Sequence, residues 1–268
     1  MPGLILLGAD QRVAPFVIRE KLAITGPEMF EILGRLSTSS HVREVFVLST
    51  FNQVEVYLRG QSSALDDIRL FWQERAEVDS DGLRPFLYEK LDEGAALHLF
   101  SLGAGFDCAG SPQAHILLRI QESLDAARQA GSIGDYLEAL LTRALRVGRR
   151  ARRQLGPDPD PETLESVREM LRQEASRFIR WARGRRAKSA INALKGRAEE
   201  IRRSELLRIE SKLSHLSPEE RAALEALTTS LVNKLINPSK KALKGAAEGG
   251  DVSDYLRAAS ELFDLGDQ

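Results

Sequence analysis

The chain has 268 residues, room for two domains at about 100–200 residues each, and its 38 Lys+Arg against 39 Asp+Glu leave a net charge of −1. That balance argues against a polyanion binder acting through overall charge, and no apolar run approaches the roughly 20 residues of a membrane-spanning helix. With a hydrophobic fraction of 43%, one cysteine (Cys108) and charged residues soon after Leu4–Leu7, the expectation is a globular protein of a reducing cytoplasm, without a signal peptide or an internal disulfide.

Leu4 to Gly8 reads as an opening strand. Thr25-Gly26-Pro27-Glu28 has the form of a helix start, and the helix is expected to reach about Leu36. The apolar run Val45 to Leu48, followed by the alternation Val54-Glu-Val-Tyr-Leu58, predicts a hairpin whose turn carries Phe51 and Asn52. Asp160-Pro161-Glu162 supplies an N-cap with proline at the first helical position, and from there the pattern is helical throughout. Ile191, Leu194, Ala198 and Ile201 recur at helical spacing, and Leu206, Ile209, Leu213 and Leu216 continue the stripe. Ser217 and Glu220 form a capping box. A last stripe, Leu224, Leu227, Leu231 and Leu235, is expected to end at Asn237-Pro238. These helices carry more apolar surface than they can hide among themselves, which predicts a homodimer through the C-terminal helices, a self-contained bundle being the alternative.

Val45 to Tyr57, with its core Ser49-Thr50-Phe51-Asn52-Gln53, resembles the nucleophile loop of the glutamyl-tRNA reductase family. The resemblance extends to Arg12-Val-Ala-Pro15 with Ile18-Arg-Glu-Lys-Leu22, to Ala96-Leu-His98-Leu-Phe100 with Gly105-Phe-Asp107 and Gly110-Ser-Pro-Gln113, to Ala144-Leu-Arg-Val-Gly148, and to Leu216–Glu220 and Thr228–Leu235. It implies an α+β catalytic-type domain at 1–155, a linker and the start of a long helix at 156–175 in place of the NADPH-binding domain, and an all-α dimerisation domain at 176–268. No Gly-x-Gly-x-x-Gly run occurs in the sequence, so no Rossmann domain and no NADPH site are expected.

In the family the turn reads Ser-Thr-Cys-Asn-Arg, and its thiol attacks the aminoacyl ester. Here Phe51 holds the thiol's place, and a phenyl ring cannot attack an ester. The ring is expected to fill the former pocket as core. Gln53 stands for an arginine suited to a substrate carboxylate, so a charge-assisted contact becomes a neutral one. Ser111 replaces a glutamate. Ser49, Thr50, Asn52, Gln53, Glu55, His98, Cys108 and Gln113 form the remnant pocket; Thr50 and Asn52 read equally as turn-holding residues and His98 as a satisfied helix histidine. No metal site is expected. Cys108 with His98 or His115 could ligate heme, or the thiol could act as a displaced nucleophile; a buried hydrophobic cysteine is the plainer reading. Arg143, Arg146, Arg149, Arg150, Arg152 and Arg153 lie on one predicted helix, and Arg177, Arg180, Arg183, Arg185, Arg186 and Lys188 on the next. They fit either a phosphate-tracking surface or a solvated face with local ion pairs.

The resemblance and these changes together imply a non-catalytic, reductase-like protein of tetrapyrrole synthesis. It would hold glutamyl-tRNA or pair with a full-length glutamyl-tRNA reductase. A heme carrier or sensor and an NADPH-independent enzyme acting on glutamyl-tRNA are the alternatives.

Overall fold

A computed structural model describes residues 3–106, 113–249 and 253–263. The chain forms two compact units, 1–179 and 180–268. In the first, the elements run β1 (Gly3–Asp10), α1 (Phe16–Leu22), α2 (Gly26–Ser37), β2 (Val42–Ser49), β3 (Gln53–Gly60), α3 (Ala64–Ala76), the one-turn α4 (Ser80–Leu83), β4 (Tyr88–Leu91), α5 (Asp92–Ala104), α6 (Gln113–Ala130) and α7 (Asp135–Leu155). The hairpin and the helix after Pro27 stand where periodicity and punctuation predict them.

The four strands make one antiparallel sheet in the order β2-β3-β1-β4. Each outer pairing leaves a neighbour in sequence separated by a central strand, the split β-α-β arrangement of ferredoxin-like sheets. β1 is apolar at successive positions because both its faces are covered: Leu4, Leu6 and Leu7 are almost fully buried, and such a strand cannot alternate. α2 and α6 lie on β2, and α5 on β1. α5 and α7 approach closely at two glycines, since a Cβ on Gly148 would stand 2.6 Å from the Gly103 carbonyl oxygen. Trp72, Tyr57, Phe46, Phe100 and Phe178 are the largest fully buried side chains of this core, each worth about 1.5–3 kcal/mol or more in surface removed from water. The buried Glu44 of β2 closes the far end: Oε2 accepts from Gly134 N at 3.0 Å and Leu137 N at 2.7 Å, at the positive start of α7, while Oε1 pairs with Arg59 at 3.1 Å.

Helix α8 (Pro161–Arg208) begins behind its Asp160 cap, whose carboxylate accepts from Thr163 N at 2.6 Å. Its first turns belong to the first unit, where Val167, Leu171, Ala175, Phe178 and Ile179 join the core. Arginines of α7 and α8 make local contacts. Arg143 and Arg177 both reach Glu174, at 3.7 and 3.1 Å, and Arg152 donates to the Gly103 carbonyl at 2.9 Å.

In the second unit the rest of α8 meets α9 (Pro218–Gly249) and α10 (Ser253–Phe263) in two small clusters, one around Ala187, Ala190, Leu243 and Leu256, the other around Leu194, Ile236 and Ala259. The capping box forms, with Ser217 N donating to Glu220 at 2.8 Å and Glu220 N to Ser217 Oγ at 3.2 Å. Two expectations fail here. The stripe through Ile209 and Leu213 does not stay on one helix: α8 ends at Arg208 and Glu210–Leu213 is a 3-10 turn. Nor does α9 stop at Asn237-Pro238. It passes through Pro238, giving up one backbone bond at a cost of about 3 kcal/mol, because Ile236 before the proline and Leu243 and Ala247 after it are buried. Leu227, Leu231 and Leu235 share one face of α9 and are 56%, 52% and 76% exposed. Among the described residues no helix is long and apolar enough to cross a membrane.

Candidate functional site

The β2–β3 turn is held by its own hydroxyls and by two neighbouring segments. Thr50 N donates to the Gln53 carbonyl at 2.8 Å, and Gln53 N to Thr50 Oγ1 at 3.2 Å. Ser49 Oγ accepts from Ile24 N at 2.9 Å, so Ser49 ties the turn to the start of α2. The Asn52 carbonyl accepts from Gln11 N at 3.1 Å, and the Phe51 carbonyl from Arg19 Nη1 at 2.9 Å. Thr50 and Ser49 are thus committed to backbone positions. The side chain of Phe51 is not in a core. It is 78% exposed and meets another exposed ring, Phe16, at 5.9 Å between centroids. The reason is geometric: a two-residue tip between paired strands projects beyond the sheet, and among the described residues no apolar layer covers it.

Below the turn, alternation places Gln53, Glu55 and Tyr57 on one face of β3. Glu55 is fully buried, and three donors surround it. Tyr57 Oη donates to Oε2 at 2.7 Å, Tyr88 Oη donates to Oε1 at 2.5 Å, and His98 Nε2 lies 2.7 Å from Oε1. The Tyr88 and His98 rings meet edge to face at 5.6 Å. The sheet register explains how Tyr88 gets there. Gly8 of β1 pairs with Glu55 on one side and Tyr88 on the other, and a Cβ on Gly8 would lie 2.5 Å from the Tyr88 ring. The missing side chain is the passage through which Tyr88 crosses β1, a frequent use of glycine inside a strand. Burial, and then the neighbouring Glu55 charge, push the Tyr88 hydroxyl far above the ordinary phenol value, so it remains a donor at any physiological pH.

Asp10 extends the buried polar row. It is 1% exposed, pairs with Gln53 in the register, and takes Arg12 Nε at 2.8 Å. Gln53 Nε2 is buried and without a hydrogen-bond partner, so the position that the resemblance gives to an anion-binding arginine carries an idle neutral donor.

The remnant-pocket residues are therefore only partly gathered. Glu55 and His98 bond one another, Gln53 stands two residues along the same face, and Ser49, Thr50 and Asn52 build the turn. His98 is 5% exposed with Nε2 on Glu55, a poor starting point for a heme ligand, and His115 is exposed on α6. Cys108, and the side chain of Gln113 at the start of α6, lie outside the described residues. Tyr57, Tyr88, Asp10 and Gly8 complete the network and were not picked out from the sequence; the signal that could have found them is the lone glycine in an otherwise apolar strand.

Beside the turn a cleft of about 330 Å³ opens between α2, the turn and α6, lined among others by Met29, Ser49, Thr50, Phe51, Arg119 and Ser123. At the start of α2 the Glu28 carboxylate accepts from Thr25 N at 2.9 Å and pairs with Arg75 at 2.9 Å. Those bonds, the one from the Thr25 hydroxyl foremost, hold its pKa down at about 2.

Comparison with known proteins places this geometry. The family model described as glutamyl-tRNAGlu reductase, N-terminal domain, matches residues 7–155, and that of the dimerisation domain of the same enzyme matches residues 166–265. Glutamyl-tRNA reductase 1 of Nocardioides sp. is 31% identical over 167 residues, which cover 62% of this chain and 39% of that protein. The glutamyl-tRNA reductase of Herpetosiphon aurantiacus is 35% identical over 150 residues, 56% of this chain and 36% of its own. The chain thus spans well under half the length of the curated relatives it matches. The solved structure of glutamyl-tRNA reductase from Methanopyrus kandleri shares the fold, with a TM-score of 0.66 at 14% identity, covering 92% of this chain and 99% of that one. With both domains matched in order, and only residues 156–165 between the matched segments, this chain belongs to the glutamyl-tRNA reductase family.

Proposed function

We propose that this chain is a non-catalytic member of its family, serving tetrapyrrole synthesis as a dimer and by pairing with a complete reductase through the helices of its second unit. The observation that carries the reading is Phe51: at the place of the family's nucleophile stands a hydrocarbon ring with no lone pair to attack an ester carbonyl. The network beneath it does not substitute. Both Glu55 oxygens are occupied by Tyr57, Tyr88 and His98, and the carboxylate is fully buried and not open to a substrate.

The dinucleotide that the family resemblance implies does not fit the residues present. The ten residues between the two matched segments are the end of a turn and the first helical residues of α8, with no glycine-rich phosphate cradle. No hydride step is therefore derived. The partner reading is supported by the second unit, where Leu227, Leu231 and Leu235 present an unburied apolar stripe within the segment matching a dimerisation domain. Such a stripe is costly to leave in water and suits helix-to-helix packing.

Subunit exchange tests this. The chain and a full-length glutamyl-tRNA reductase of the same source carry donor and acceptor dyes. The expected result is transfer within mixed dimers that disappears in a Leu231→Glu/Leu235→Glu double variant. A wild-type chain that sediments as a monomer at micromolar concentration and shows no transfer would overturn the proposal.

A further inference from the structure

The two edges of the sheet are finished differently. On β2 the loop between α6 and α7 covers the outer edge: Val45 N donates to the Ser132 carbonyl at 2.7 Å, and Ser132 Oγ donates to the Val45 carbonyl at 3.0 Å. On the opposite edge, β4 pairs with β1 along one side only. Among the described residues no backbone hydrogen bond from another segment reaches its outer side, where an antiparallel strand turns every second N–H and C=O outward. Such a row is a template for a further strand.

Beside this edge a cleft of about 520 Å³ opens between α3, α4 and β4. Leu83 and Leu87 give it an apolar lining, and Leu70, which also lines it, is 56% exposed. Two cations share the cleft, and they differ. Arg69 is neutralised by Asp66 at 3.2 Å and by Glu89 at 2.9 Å. Arg84 is exposed, and among the described residues no carboxylate pairs with it.

We propose that the outer edge of β4 and the adjoining cleft bind an extended peptide of another protein. The peptide adds a strand to the sheet, sets an apolar side chain against Leu70, Leu83 and Leu87, and brings a carboxylate to Arg84. The three features select this ligand together. Residues two apart in a strand face the same side, so one segment with an apolar and an acidic residue at that spacing meets both the leucines and the arginine while its backbone pairs with β4. A free small acid would fill the cleft and leave the edge unpaired, and a purely apolar partner would cover the Arg84 charge without an anion, which is costly. Main-chain bonds supplying affinity and side-chain pockets supplying specificity is the general logic of strand addition. This inference goes beyond the proposed function and does not depend on the helices that carry it.

The test uses the full chain and fluorescence anisotropy with a labelled peptide of about eight residues, threonine alternating with leucine or glutamate, so that one face carries leucine and glutamate two residues apart. A second peptide has the same side chains but N-methyl groups on alternate backbone nitrogens, which removes its ladder donors. The unmodified peptide is expected to bind about tenfold or more tighter than the methylated one, and to slow hydrogen exchange at residues 88–91. Arg84→Gln should weaken binding about tenfold and flatten its salt dependence, as loss of a charge-assisted contact does. Leu70→Ser, at an exposed position, should weaken it by a smaller factor. No binding of the unmodified peptide, equal binding of the two peptides, or binding untouched by both variants would overturn the proposal. So would protection of residues 88–91 that rises with chain concentration alone, which would give the edge to a second copy. Subunit exchange through the second unit is read separately, so failure here leaves the dimer reading standing.

Discussion

Glu55 and Phe51 lie four residues apart on one hairpin, yet one is sealed from solvent with three donors around it and the other is 78% exposed. The contrast separates two kinds of side chain that the family resemblance puts in one pocket. The network of Glu55, Tyr57, Tyr88 and His98 is part of the architecture: it fills the space under the sheet, and its polar atoms satisfy one another. The tip of the turn is architecture only in its backbone, and its side chain is free to change without cost to the fold. A family member can therefore exchange the reacting group for a ring and keep the whole domain intact.

The largest expected effect comes from the buried side. Glu55→Ala leaves Tyr57, Tyr88 and His98 without their common acceptor and should cost about 3–5 kcal/mol in denaturant unfolding. Phe51→Ala, by contrast, should stay within about 0.5 kcal/mol. Equal costs would break the comparison. A smaller loss, about 1–3 kcal/mol, is expected for Gly8→Ala, whose Cβ displaces the Tyr88 ring from its path across β1. A companion Tyr88→Phe change should not restore it, as the collision is with the ring carbons as well as the hydroxyl. The smallest effect lies beside the turn. Glu28 has a folded pKa of about 2, below its ordinary value near 4.5, so its contribution is full above about pH 4.5 and lost as pH falls toward 2. The carboxylate is partly exposed and solvent screens it. Glu28→Gln should thus lower stability slightly at pH 7 and converge with wild type near pH 2, as followed by circular dichroism; parallel curves at all pH would remove Glu28 from the account.

Much of this could be read from the residues. Alternation from Val54 to Leu58 fixed the hairpin and put Glu55 and Tyr57 on one face, and the Ser217–Glu220 box marked the start of α9. What escaped was long-range. Tyr88 sits on a four-residue strand too short to show a period, and its partnership with Glu55 depends on Gly8, which only the sheet register brings between them. Phe51 was expected as core filling because a large ring in a former active-site loop would plug the pocket, whereas the turn leaves it 78% exposed. Pro238 was expected to end a helix, since local propensity cannot anticipate that burial on both sides of it outweighs one lost bond.

The central claim, that this chain does not carry out its family's reduction, is tested most directly by incubating the wild-type chain and Phe51→Cys with glutamyl-tRNA and NADPH and assaying for the aldehyde product. The account predicts none from either, because restoring the thiol supplies a nucleophile but no hydride donor; NADPH-dependent aldehyde from either protein would contradict it.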